Sequence, residues 1–146
     1  MPNVFTYRER LWPAAWVFIA TGLVIPASLL VFLPISLPVG VAVAVGLYAA
    51  IVIVLIATTA TIEVTPTSFR AGKARIEREH IGRAIAFEGP EATAERGVRL
   101  DARAWLLLRG WVPGVVRVEL DDPQDPTPYW LVASRNPEEL EAALKG

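Results

Sequence analysis

Leu11 to Ile62 reads LWPAAWVFIATGLVIPASLLVFLPISLPVGVAVAVGLYAAIVIVLIATTATI, with no Asp, Glu, Lys, Arg or His in it. A water-facing surface cannot be built from such a stretch. About 20 apolar residues span the roughly 30 Å hydrocarbon core of a bilayer, and this run is more than twice that long. It predicts a transmembrane hairpin over 14–60, with helices at 14–33 and 39–60. Pro34 and Pro38 bound the turn, because each lacks an N–H and clashes with the preceding helical turn. Pro26 lies inside the first helix and is expected to bend it, as membrane helices tolerate. Gly40, Ala44 and Ala49 are small enough to let the helices approach closely. Neither span carries an Asp, Glu, Lys, Arg or His, which argues against a proton relay or an ion path through the hairpin.

The flanks orient the hairpin. A secretory signal is the rival reading of the amino terminus, but the apolar run far exceeds a signal's h-region. Arg8 and Arg10 precede it, Arg70, Lys73, Arg75, Arg78 and Arg83 follow it, and the connecting turn is uncharged. Positive flanks stay inside, so both termini are expected in the cytoplasm and the chain in the cell (inner) membrane as a multi-pass protein. Segment 1–13 is read as a short cytoplasmic lead. In it and just beyond, Tyr7, Arg8, Arg10, Trp12 and Trp16 are candidate membrane-interface anchors, since amphipathic rings and long cations favour the headgroup layer.

Of the 146 residues, about 85 remain outside the bilayer, enough for one small core. Net charge is −1, from 14 basic and 15 acidic residues, which removes the case for nucleic-acid binding. The absence of Cys excludes disulfides, thiolate metal sites and cysteine nucleophiles.

From Thr61 the apolar period changes to two. Short strands alternate through Phe87, with Gly72-Lys73 as a tight hairpin turn. Residues 89–103 carry Pro90, Gly97 and many charges and read as a long loop with one helical turn near Ala92 to Arg96. Strands return at 104–109, 115–120 and 128–134, with Asp121 to Thr127 as a Pro/Asp turn. Asn136, Pro137 and Glu139 begin a carboxy-terminal helix at 137–145 as N-cap, first residue and capping-box acid. The fold class expected is α+β: the hairpin, then over 61–146 a small antiparallel β-barrel, pleckstrin-homology-like (PH-like) and closed by that helix.

The chemistry-bearing residues are few. His80 stands alone, so no cofactor or metal site is expected, and Ser134 and Ser68 lie in no nucleophile motif. Asp121, Asp122 and Asp125 lack the glycine and terminal glutamate of a calcium loop and read as a rigid turn able to contact a partner. Trp130 is expected to point outward, so Trp111, Tyr129, Trp130 and Arg135 join these aspartates as candidate partner-binding residues. Arg70, Lys73, Arg75, Arg78 and Arg83 form a candidate lipid-facing basic patch.

Three segments carry a resemblance. YRERLWP at Tyr7 to Pro13, RGWV at Arg109 to Val112 followed by Val116-Arg117-Val118, and DDPQDPTPYWLVASR at Asp121 to Arg135 together resemble an actinobacterial membrane family, domain of unknown function 3093. The resemblance covers nearly the whole chain and implies a two-helix integral membrane protein with no assigned activity or catalytic residues. The function expected is therefore a non-enzymatic, membrane-anchored scaffold or adaptor that binds a membrane or cytoplasmic protein partner through its PH-like domain. The alternative is anionic-lipid headgroup binding through Arg70 to Arg83.

Overall fold

The structure is a computed structural model, and it describes residues 7–145. The chain divides into two compact units: a helical one over Trp12–Thr59, and an α/β one built from the segments on either side.

The helical unit has three helices, α1 (Ala15–Thr21), α2 (Val24–Phe32) and α3 (Leu37–Ala57). The break between α1 and α2 has a local cause. Pro26 has no N–H to offer the Gly22 carbonyl, which accepts instead from Ile25 at 3.0 Å, while Leu23 bonds Ala20 at 3.2 Å; the chain tightens for one turn before resuming. The expected single helix at 14–33 is thus two, and the second runs over 37–57 rather than 39–60. Ala15–Phe32 and Leu37–Ala57 have mean hydropathies of 2.2 and 2.9 and are long and apolar enough to cross a membrane. Their packing inverts that of a soluble helix. Ser28, Gly40 and Ala44 are buried, whereas Ile19, Leu30, Val45 and Ile53 are exposed. A side chain at Gly40 would begin 3.1 Å from Phe32 Cβ, so the missing Cβ is what lets α2 and α3 meet. Ala49, by contrast, is exposed.

In the α/β unit, β1 (Tyr7–Arg10), β2 (Thr61–Val64), β3 (Ser68–Ala71) and β4 (Ala74–Glu77) form one antiparallel sheet in that order. At the β3–β4 turn Gly72 takes φ +60°, a conformation that favours glycine. A 3₁₀ turn at Arg78–His80 carries the chain into the second sheet, which combines β5 (Ile81–Phe87), β6 (Trp105–Leu107), β7 (Val115–Leu120) and β8 (Tyr129–Ala133) in the order β5-β7-β8-β6. Helix α4 (Gly89–Arg96) lies between β5 and β6, and α5 (Pro137–Lys145) ends the fold.

Three expectations change here. Among the described residues the eight strands form two separate sheets and no closed barrel, because the 3₁₀ corner ends one ladder before the next begins. The topology is mixed, since β6 runs parallel to β8. Residues 89–96, expected mainly as loop, are helical, with Pro90 in the first turn where its missing N–H costs nothing.

The main core lies between the inner faces of the sheets. Leu11, Ile62, Val64 and Phe69 meet Val116, Val118, Trp130 and Val132, with Leu140 and Leu144 of α5 against them. Phe69 and Trp130 pack edge to face at 5.9 Å. On the opposite face of the second sheet a smaller cluster joins Val115, Tyr129 and Leu131 to Ala92 of α4. The expected stripe of Leu140, Ala143 and Leu144 is buried, each leucine contributing about 1.5–3 kcal/mol.

Candidate functional site

Alternation in the first sheet puts apolar residues inside and charges outside. Across the ladder Arg8 stands opposite Glu63, Glu63 opposite Arg70, and Arg70 opposite Arg75, a row crossing all four strands. Arg10 shares this outer face beside Thr61, and Lys73 is exposed at the β3–β4 turn. Glu63 answers Arg8 at 3.7 Å. Arg70 and Arg75, however, are directly opposite one another, an arrangement of like charges that costs stability. The Arg70 guanidinium bends to the Gly72 carbonyl at 3.2 Å. That turn is bonded to the Thr61 carbonyl, at the end of the sheet where Leu11 donates to Ala60 at 2.8 Å and the chain passes to the apolar helices. Among the described residues, Arg8, Arg10, Arg70, Lys73 and Arg75 thus share this side of the sheet with two carboxylates, Glu63 and Glu77.

Two members of the expected patch are elsewhere. Arg78 turns inward, donating to the Ala143 and Leu144 carbonyls at 3.1 and 2.9 Å, and so caps the C-terminus of α5. Arg83 is exposed on β5 of the second sheet. Of the expected interface anchors, Tyr7, Arg8 and Arg10 form β1, while Trp12 and Trp16 are exposed in the helical unit.

The candidate partner-binding set divides as well. Trp130 is 7% and Tyr129 4% exposed, so both are core residues and the outward-facing Trp130 is corrected. Alternation misled because β8 is covered on both faces, as central strands can be. Trp111 is half-buried and donates to the Leu11 carbonyl at 3.3 Å. Asp122 and Asp125 turn back on the backbone N–H groups of Gln124 and Thr127, each at 2.9 Å, and Asp121 stays exposed. The bond from Thr127 holds the Asp125 carboxyl below its usual range. Among the described residues no group of three His, Cys, Asp or Glu is placed to hold a metal ion.

The model of a family described as a protein of unknown function, DUF3093, matches residues 6–144. The chain belongs to the DUF3093 family. No curated protein and no solved structure matches it.

Two further features of this DUF3093 chain were not visible in its sequence. Glu9, turned inward on β1, accepts from Tyr7 Oη at 2.8 Å, Ser134 Oγ at 2.7 Å and the Arg135 N–H at 2.7 Å. Burial, with the Glu9 carboxylate beside it, pushes the Tyr7 phenol up to about 12. Arg135 also reaches the Arg10 carbonyl at 3.2 Å. Ser134 is fully buried and serves this clamp. The second feature is Glu95, a carboxylate under α4 that is 1% exposed. Its Oε1 is 3.4 Å from Arg99 and its Oε2 3.7 Å from Arg117, whose guanidinium lies 4.5 Å over the Tyr129 ring. The only signal for either was a charge inside a short strand or helix, which the sequence alone reads as a solvated face.

Proposed function

We propose that this protein is a non-catalytic, two-span membrane protein of the cell membrane, with both termini cytoplasmic, whose first sheet lays its basic outer face on anionic lipid headgroups. The observation that carries the reading is the Arg70–Arg75 pair. Two guanidinium groups facing each other on an exposed surface repel, and a phosphate between them turns that cost into two charge-assisted hydrogen bonds. Each cation near an anionic surface adds about 1 kcal/mol. Because the apolar helices tether the unit, these contacts set its orientation rather than its recruitment. The charge asymmetry of the flanks supports the cytoplasmic orientation. The PH-like character belongs to the same reading and is supported by the order of short strands ended by one amphipathic helix, and the actinobacterial character by the sequence resemblance.

The scaffold reading keeps Trp111, Asp121, Asp122, Asp125 and Arg135 as partner contacts but loses its aromatic centre with Tyr129 and Trp130 in the core. Lipid contact is therefore preferred.

The test is hydrogen exchange of the full chain in nanodiscs of neutral lipid and of lipid with anionic headgroups. Residues 68–77 should gain protection only in the anionic discs, and lose it at high salt or with Arg70→Glu/Arg75→Glu. Equal exchange in both lipids would overturn the reading.

A further inference from the structure

Helix α4 covers the outer face of the second sheet in an unusual way. Of its eight residues, GPEATAER, only Ala92 and Glu95 are buried. Covering Val115, Tyr129 and Leu131 calls for apolar side chains, yet the helix offers one methyl group and one carboxylate. Desolvating a carboxylate is costly unless its oxygens are hydrogen-bonded. Here Glu95 Oε2 makes no hydrogen bond, and neither does the buried Nε of Arg117, whose Nη1 is the atom nearest that oxygen at 3.7 Å. Good structural ion pairs are shorter and bidentate. The site therefore has a fixed cation and an apolar floor, but an occupant that fits it loosely.

The ends of α4 suit a segment that can lift. Gly89 takes φ +57° with nothing within 4 Å of where a Cβ would be, and Gly97 follows the last helical residue. Lifting would uncover the part of the Val115, Tyr129 and Leu131 face that lies under Ala92, with Phe87, Leu100, Ala104 and Leu108 packed round it and Arg117 above the Tyr129 ring.

We propose that this face is a binding site for an anionic amphiphile, an acyl chain ending in a carboxylate, and that Glu95 holds the place of its head group. The exchange is balanced. One carboxylate replaces another beside Arg117 and Arg99, so the charge of the network Glu91–Arg99–Glu95–Arg117–Glu119 is unchanged. The displaced Glu95 recovers its hydration, and a chain of methylenes fills the place of Ala92 between Leu100, Ala104 and Leu108 with more apolar surface than one methyl group. The site lies on the second sheet and is independent of the basic face of the first.

The experiment uses the full chain in nanodiscs of neutral lipid, titrated with octanoate and, separately, with octanol. Octanoate should bind saturably and speed exchange at residues 89–97, while octanol should not. Glu95→Gln, which removes the competing charge, should tighten octanoate binding about tenfold, and Arg117→Gln should abolish it. If Arg117→Gln does not fold, as judged by exchange at β3, Arg117→Lys should weaken binding several-fold by losing the Nε donor. Equal response to octanoate and octanol, or octanoate affinity unchanged by Glu95→Gln, would overturn the proposal.

Discussion

Glu9 and Glu95 are both carboxylates drawn in from the surface of the α/β unit, and they are held in opposite ways. Glu9 accepts three hydrogen bonds of 2.7–2.8 Å from three donors, two of them more than a hundred residues along the chain. Glu95 is the more deeply buried, yet one of its oxygens makes no hydrogen bond. Depth of burial does not measure how firmly a charge is built in. Satisfaction of its lone pairs does, and by that criterion Glu9 fastens the fold while Glu95 occupies a place.

The Glu9 side of this comparison breaks most severely at Gly114. A Cβ there would lie 2.6 Å from the Ser134 carbonyl and 3.0 Å from Pro137 Cγ, and backbone cannot yield as a flexible side chain can. Ser134 also donates its N–H to Gly114 at 3.0 Å. Gly114→Ala is expected to cost more than about 3 kcal/mol, read as a lowered thermal midpoint of the full chain in detergent. A midpoint within a degree or two of wild type would mean that Ser134 and the start of α5 are less firmly set than these distances imply.

Substituting each carboxylate sharpens the comparison directly. Glu9→Gln presents an amide N–H₂ to donors that need acceptors, and should cost about 2–3 kcal/mol. Glu95→Gln removes a poorly satisfied buried charge and should change stability by less than about 1 kcal/mol in either direction. Denaturant unfolding of the two variants, followed through the tryptophans of the α/β unit, measures the difference. Equal losses would erase the distinction between a fastened and a place-holding carboxylate.

How much of this could be read beforehand follows from what each residue's neighbours in sequence reveal. The apolar helices, the Gly72-Lys73 turn and the start of α5 were legible because each is a local pattern: a run without charge, a turn dipeptide, a capping sequence. The strand Tyr7–Arg10 was not, because YRER is also what a positive flank looks like and its partner strand lies some fifty residues on, beyond the hairpin. Helix α4 lacks an apolar stripe, so its periodicity was silent. Trp130 was assigned to the wrong side because alternation presumes one wet face, and the second sheet is covered on both. The basic face was half legible. Arg70, Lys73 and Arg75 were named together, but only the strand register adds Arg8 and Arg10 to them, and only the contact with α5 removes Arg78.

The smallest effect is a pH dependence carried by Tyr7, the phenol that donates to Glu9. Tyr7 donates its phenol proton to Glu9, and its pKa is raised to about 12 in the folded chain, against about 10 for a free phenol. The fold therefore favours the neutral phenol. Its contribution to stability is fully present below pH 10 and is lost as pH rises from about 10 to about 12, where the unfolded chain ionises first. Tyr7→Phe lacks both the hydrogen bond and the titration. It should be less stable than wild type at pH 8, with a gap that narrows steadily through the window from 10 to about 12. Absorbance of the phenolate should include a component that rises only towards pH 12, and Tyr7→Phe should lack it. If Tyr7 instead ionises near pH 10, the phenol is not held against Glu9 and β1 docks through its ladder bonds alone.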